Sequence, residues 1–157
     1  MSLSFAELLA QDREAIVQEL TQAVKERAGP SYAAVPPDQL RPRMALVVEA
    51  VQRSIAEDAP AVWEDFVARS VQQRVAERYA MDEIQALISL LREIVLRRVG
   101  RAYQDEPEQR IASISQLEEL AHRARLRAFE VYWETYEEQM ERQRRTLAEL
   151  STPVIKV

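Results

Sequence analysis

Apolar residues recur along this chain every three or four positions, the spacing of amphipathic helices rather than strands. Phe5, Leu8, Leu9, Ile16, Leu20 and Val24 predict a first helix from Leu3 to Arg27, interrupted on one face by Asp12 and Arg13. Gly29-Pro30 ends it as a C-cap followed by a breaker, and Ser31 to Pro37 reads as a loop anchored by Tyr32 and Val35. Leu40, Met44, Val47, Val48, Val51 and Ile55 form the stripe of a second helix. Pro42 lacks a donor, so regular helix is expected from there to about Glu57, with Asp38 to Arg41 as a preceding turn. Asp58 reads as the cap of a third helix carrying Val62, Trp63, Phe66, Val67, Val71 and Val75 and ending around Tyr79. Asp82, with Gln85 three residues on, reads as the capping box of a fourth helix. Its face of Ile84, Leu87, Ile88, Leu91, Val95 and Val99 is the most apolar in the chain.

The fifth helix is the distinctive one. Glu108 to Thr152 contains neither Gly nor Pro, which predicts an uninterrupted rod of roughly 60 Å. Pro153 stops it, and Val154 to Val157 read as the opening of a β-strand. Ile111, Ile114, Leu117, Ala121, Ala124 and Ala128 are expected to pack on the bundle, the alanines allowing close approach. Further on, Leu126, Phe129, Trp133, Tyr136, Met140, Gln143, Leu147 and Leu150 alternate by three and four residues, as in a coiled-coil seam. Gln143 is a polar seam residue able to fix register. Two arrangements fit. The helix either folds back on its own bundle or pairs with a second copy in a parallel homodimer, and the heptad spacing favours pairing. The chain then divides into a helical sensory bundle (1–125), a signalling helix (126–152) and the start of a further domain (153–157).

Composition narrows the class. With 157 residues, 47% hydrophobic, 30% charged and a net charge of -5, the chain suits one soluble domain plus an extension. No apolar run is long enough to cross a membrane, and Met1 begins nothing like a cleavable signal. The acidic balance argues against nucleic acid as the main partner. The absence of cysteine excludes disulfides and thiolate metal sites and fits a cytoplasmic address. Two glycines are too few for the turns of a sheet enzyme, so the fold is expected to be all-α, a bundle of about five helices with a long exit helix.

Candidate chemistry is sparse. His122 is the sole histidine and reads as a solvated residue, so no catalytic triad, metal site or haem ligand set can be assembled. There is no cysteine nucleophile and no glycine-rich phosphate loop. Arg97, Arg98 and Arg101, and Arg142, Arg144 and Arg145, are interleaved with acids and read as solvated faces before they read as phosphate sites. No catalytic residue and no cofactor is expected. Trp63, Phe66, Leu91 and Val95 could line a ligand pocket between the third, fourth and fifth helices, although plain core packing is the favoured reading of them.

The carboxyl-terminal run Leu147-Ala-Glu-Leu-Ser-Thr-Pro-Val-Ile-Lys-Val157 resembles the junction where a signalling helix enters a STAS domain in RsbR-type anti-sigma-factor antagonists. The stretch from Val62 to Val99, with Trp63, Phe66, Arg74 and Arg92-Glu93-Ile94, is similar to the helical amino-terminal domain of RsbR paralogues, the RsbRD type included. The resemblance implies a dimeric input module of the stress response, either globin-like without haem or an up-and-down four-helix bundle. It implies, through the STAS domain, RsbS-type scaffold and RsbT-type kinase partners in a cytoplasmic stressosome. The kinase's phosphorylation sites lie on the STAS part, so none transfers to a residue here. The expected function is a non-enzymatic sensory domain that homodimerises and relays a signal through its long helix. A small-molecule or cofactor sensor is the alternative; a histidine-kinase input domain is a third, disfavoured by the Pro153 break.

Overall fold

The computed structural model describes residues 3–151, and within them the chain is all-α. Seven helices follow in order: α1 (Phe5–Gln11), α2 (Arg13–Arg27), α3 (Pro30–Ala33), α4 (Pro37–Ala56), α5 (Pro60–Ala76), α6 (Met81–Ala102) and α7 (Pro107–Ser151). Five are long, and their principal packing partners form a closed circuit, α2 against α4, α4 against α5, α5 against α7, α7 against α6 and α6 against α2. The apolar stripes meet inside this circuit; Leu20, Val24, Leu40, Val99 and Ala124 are fully enclosed there. The proposed strand opening at 153–157, and Thr152, lie outside the described residues.

Several boundaries differ from expectation for local physical reasons. The first predicted helix breaks at Asp12, which caps α1 while Ser4 and Glu7 close a reciprocal capping box at its start, both hydrogen bonds 3.1 Å. The expected loop contains the single turn α3. Helix α4 starts at Pro37, not near Pro42, and runs through Pro42. Helical geometry there puts Leu40 into the core, and Pro42 is exposed, so the carbonyl it leaves unpaired stays near solvent. Asp38 sits in the first turn instead of ahead of it.

Asp58 does not cap α5. It ends α4 with a left-handed backbone (φ 48°), while Ala59 N–H donates to the Ser54 carbonyl at 2.9 Å. Arg78 (φ 68°) ends α5 in the same way, Tyr79 N–H reaching the Arg74 carbonyl at 2.9 Å. Both are Schellman endings built without glycine. Asp82 likewise falls inside α6; the capping contact comes from Glu83, whose Oε1 accepts from Ala80 N–H at 3.1 Å.

Candidate functional site

Helix α7 presents two apolar faces. Ser113, Leu117, Leu120, Ala121, Ala124, Ala128 and Val131 are buried against the bundle. Ile111, expected on this face, is instead 63% exposed. Polar bonds fasten the same half of the helix. Trp63 Nε1 donates to the Leu120 carbonyl at 3.0 Å, and Gln85 Nε2 to the Arg125 carbonyl at 3.3 Å. Arg92 meets Glu118 at 2.7 Å. Arg123 meets Glu64 at 3.0 Å and Glu119 at 2.8 Å, and these two carboxylates raise its already high pKa further. Tyr132 makes the outermost of these ties, its hydroxyl donating to the Tyr79 carbonyl at 3.3 Å.

Beyond Val131 no described residue is buried. The helix continues to Ser151, roughly 30 Å further at 1.5 Å per residue. Across this half runs the heptad stripe, about 150° around the axis from the bundle-facing residues at 100° per residue. Leu126 is 53% exposed, Phe129 55%, Trp133 42%, Tyr136 40%, Met140 44%, Leu147 64% and Leu150 78%. Gln143 on the same stripe is exposed too. Phe129, Tyr132, Trp133 and Tyr136 touch one another edge-on or stacked, with ring centroids 5.6–6.3 Å apart. The stripe is thus stiffened by aromatic contacts and left uncovered by the described residues of its own chain.

The other candidate places its residues differently from expectation. Trp63 and Phe66 stack at 6.0 Å and line a cavity of about 630 Å³ between α4, α5 and the start of α6. Leu91 and Val95 do not line it; both are buried further along α6 in the core. Leu46, Val47, Ile84 and Leu87 take their place, with Arg43, Arg53, Arg69 and Arg74 around the rim.

Near one end of this cavity lies a cluster that sequence reasoning missed. Gly29 has φ 127°, a region that L side chains rarely adopt, and a Cβ there would meet Glu83 Oε2 at 2.7 Å. Glu83 is buried beneath it. Its Oε2 accepts from Ser31 N–H at 2.7 Å, and its Oε1 accepts from Ser31 Oγ–H at 2.7 Å and Ala80 N–H at 3.1 Å. Burial works against the charge of Glu83, but the donors of Ser31 and Ala80 prevail and hold its carboxyl below the usual range. Beside it Tyr32 packs edge-on against Tyr79 at 4.8 Å, and Arg74 sits over the Tyr79 ring. Burial pushes the Tyr32 hydroxyl up, against the nearby positive charges of Arg74 and Arg43. The Gly29 signal was visible in the chain; the distant Glu83 that needs it was not.

Several residues of the basic clusters have internal partners. Arg98 bridges Asp12 at 3.2 Å and Glu19 at 3.1 Å, Arg97 reaches Glu19 at 2.9 Å, and Glu141 holds Arg145 at 3.4 Å and Arg144 at 3.6 Å. His122 is exposed, and among the described residues no group of three or more His, Asp or Glu is placed to hold a metal ion. Among the same residues no helix is long and apolar enough to cross a membrane.

A long exit helix fastened over its first half and bare over its second suits an amino-terminal regulatory domain, and the family comparison agrees. The family described as the RsbT co-antagonist protein rsbRD N-terminal domain matches residues 13–147. The chain belongs to this family. The match takes in the bundle from α2 onward and nearly the whole of α7, so the bare heptad stripe as far as Leu147 falls within the family's domain. No curated protein and no solved structure is significantly similar to the chain.

Proposed function

We propose that this rsbRD-type domain is a non-enzymatic input module that pairs with a second copy along α7 and relays a packing change to a downstream STAS domain. In this reading residues 1–125 sense, residues 126–152 transmit, and residues 153–157 open the next domain. The observation that carries it is the stripe from Leu126 to Leu150, apolar at all but one position and uncovered by the described residues of its own chain. A heptad stripe is self-complementary, so a second copy in parallel buries each seam residue against its own counterpart. Flanking positions such as Glu130, Glu137 and Arg144 carry no strong charge code, so the seam itself sets the pairing. The family description, which names an RsbT co-antagonist protein, supports a role on the RsbT side of stress-response signalling. In this reading the RsbT-type kinase and RsbS-type scaffold are met in the cytoplasm through the STAS domain. The transmitted change is a small rotation or shift of one packed helix pair between discrete arrangements.

The chain has no cysteine, which makes the test clean. Single cysteines introduced at Phe129, Tyr136, Met140 and Leu147 should each form a disulfide between identical positions under mild oxidation. An antiparallel pair would link one such position at most, and a monomer none. Either pattern rejects the parallel relay.

A further inference from the structure

The turn between α5 and α6 is gripped from both sides through a single peptide group. The carbonyl of Tyr79 and the N–H of Ala80 belong to one planar unit and point in opposite directions. The Ala80 N–H donates to Glu83 Oε1 at 3.1 Å, while the Tyr79 carbonyl accepts from the Tyr132 hydroxyl of α7 at 3.3 Å. Behind Glu83 stands α3, whose Ser31 supplies both its N–H and its hydroxyl to the carboxylate at 2.7 Å. The Tyr79 N–H is fixed on the Arg74 carbonyl at 2.9 Å, and its ring lies between Tyr32 and the Arg74 guanidinium. These contacts form one line from α3, through α6 and the turn, to the exit helix.

Tyr132 is where this line meets the seam. At 100° per residue it stands about 80° round the axis from the enclosed Ala124, on the flank between the bundle-facing residues and the exposed stripe. Its ring packs against the core and also touches the seam, stacked on Tyr136 at 6.3 Å and edge-on to Trp133 at 5.6 Å. One side chain therefore belongs to both surfaces. A carboxylate polarises the amide it binds, and hydrogen bonds in series strengthen one another. The Glu83 contact thus makes the Tyr79 carbonyl a better acceptor for Tyr132. Turning the peptide plane would break both bonds together, so geometry links the two sides as well as charge.

We propose that the Tyr79–Ala80 peptide group is a relay, through which the seating of α3 on α6 sets the hold on Tyr132 and with it the order of the seam aromatics. With Ser31 on Glu83 the turn is fixed, Tyr132 is held to the bundle, and Trp133 and Tyr136 are braced against it. When Ser31 withdraws, the carboxylate loses its anchor on α3, its grip on Ala80 slackens and Tyr132 is released. Glu83 and Tyr132 are positioning residues in this scheme. Its consequence for pairing rests on the parallel arrangement proposed above; the relay itself lies within one chain.

The test is amide hydrogen exchange over residues 131–140 of the whole chain, at matched concentration, with residues 44–51 of α4 as the internal reference. Tyr132→Phe keeps the ring and removes the hydroxyl, so it should speed exchange in the first segment by about threefold to tenfold, as loss of one hydrogen bond implies. Ser31→Ala, on the far side of the peptide group, should speed the same segment by about twofold or more while the reference stays protected. Combined with Tyr132→Phe it should add nothing, because the link it acts through is already cut. Ser31→Thr keeps the hydroxyl and should exchange like the parent. Thr21→Ala removes a 2.7 Å hydrogen bond to the Val17 carbonyl elsewhere in the bundle and should leave residues 131–140 unchanged. No effect of Ser31→Ala on that segment, an effect that adds in full to Tyr132→Phe, or equal acceleration by Thr21→Ala would each overturn the proposal. Exchange judges the relay in monomer and dimer alike, whereas a chain that stays monomeric at high micromolar concentration rejects the pairing and not the relay.

Discussion

Trp133 is the residue on which the paired arrangement can be measured most directly. It keeps 42% of its surface exposed in the single chain, which for a side chain of ~250 Å² leaves roughly 100 Å² uncovered. Its ring contacts are with Phe129, Tyr132 and Tyr136 of the same helix. Removing it therefore does little to the bundle. In a parallel pair the two copies together hide roughly 200 Å², which at ~25 cal/mol per Å² is at most about 5 kcal/mol. Association recovers only part of such area, so Trp133→Ala should weaken the dimer by about 2–5 kcal/mol, or roughly 30-fold to several-thousand-fold in Kd. The double change Trp133→Glu with Met140→Glu adds two carboxylates per chain to the seam and should leave monomer throughout the micromolar range. Sedimentation equilibrium measures this, with far-ultraviolet circular dichroism to verify that helix content is retained. Leu46→Glu is the control, since it removes an equally exposed apolar residue from α4 and should leave the mass unchanged. A wild-type chain that is monomeric at high micromolar concentration refutes the reasoning, as does a double variant whose dimer is as tight as the parent's.

Three further outcomes follow from the bundle. Gly29→Ala combines a φ of 127° with a Cβ 2.7 Å from Glu83 Oε2, so it should lower stability by about 2–4 kcal/mol in a denaturant melt. Glu83 has a folded pKa below its unfolded value, so it stabilises the fold above the unfolded pKa. That contribution should fade as pH falls from about 4.5 through the folded pKa, and Glu83→Gln should be less stable at neutral pH with a shallower loss on acidification. Arg78→Gly relieves a left-handed non-glycine residue at the end of α5 and should raise the melting temperature, by about 0.5–1 kcal/mol of added stability.

Fold class and the exposed stripe were legible without coordinates, because both depend on spacing along one helix. An apolar residue every three or four positions identifies a helix face wherever that helix ends up. The uninterrupted run after Pro107 could be read as a rod because nothing local stops it, and it does extend unbroken to Ser151. Helix starts were less legible. Asp38, Asp58 and Asp82 each had the chemistry of a cap, yet the actual boundaries were set by what had to be buried, such as Leu40 in the first turn of α4. Ile111 shows the same limit on a single side chain: it is apolar and in step with its neighbours, but the bundle does not reach it.

The tertiary structure alone decided which distant residues meet. Trp63 and Phe66 line one cavity, but their neighbours there are Arg43, Leu46 and Ile84 in place of Leu91 and Val95, because α6 enters the cavity only with its first turns. Gly29 and Glu83 stand 54 positions apart and share one cluster, a relation no periodicity contains. Spacing reports the faces of each helix, since every residue turns about the same local axis. Which faces oppose each other depends on how helices cross, and that is settled by side chains brought together only once the whole circuit closes.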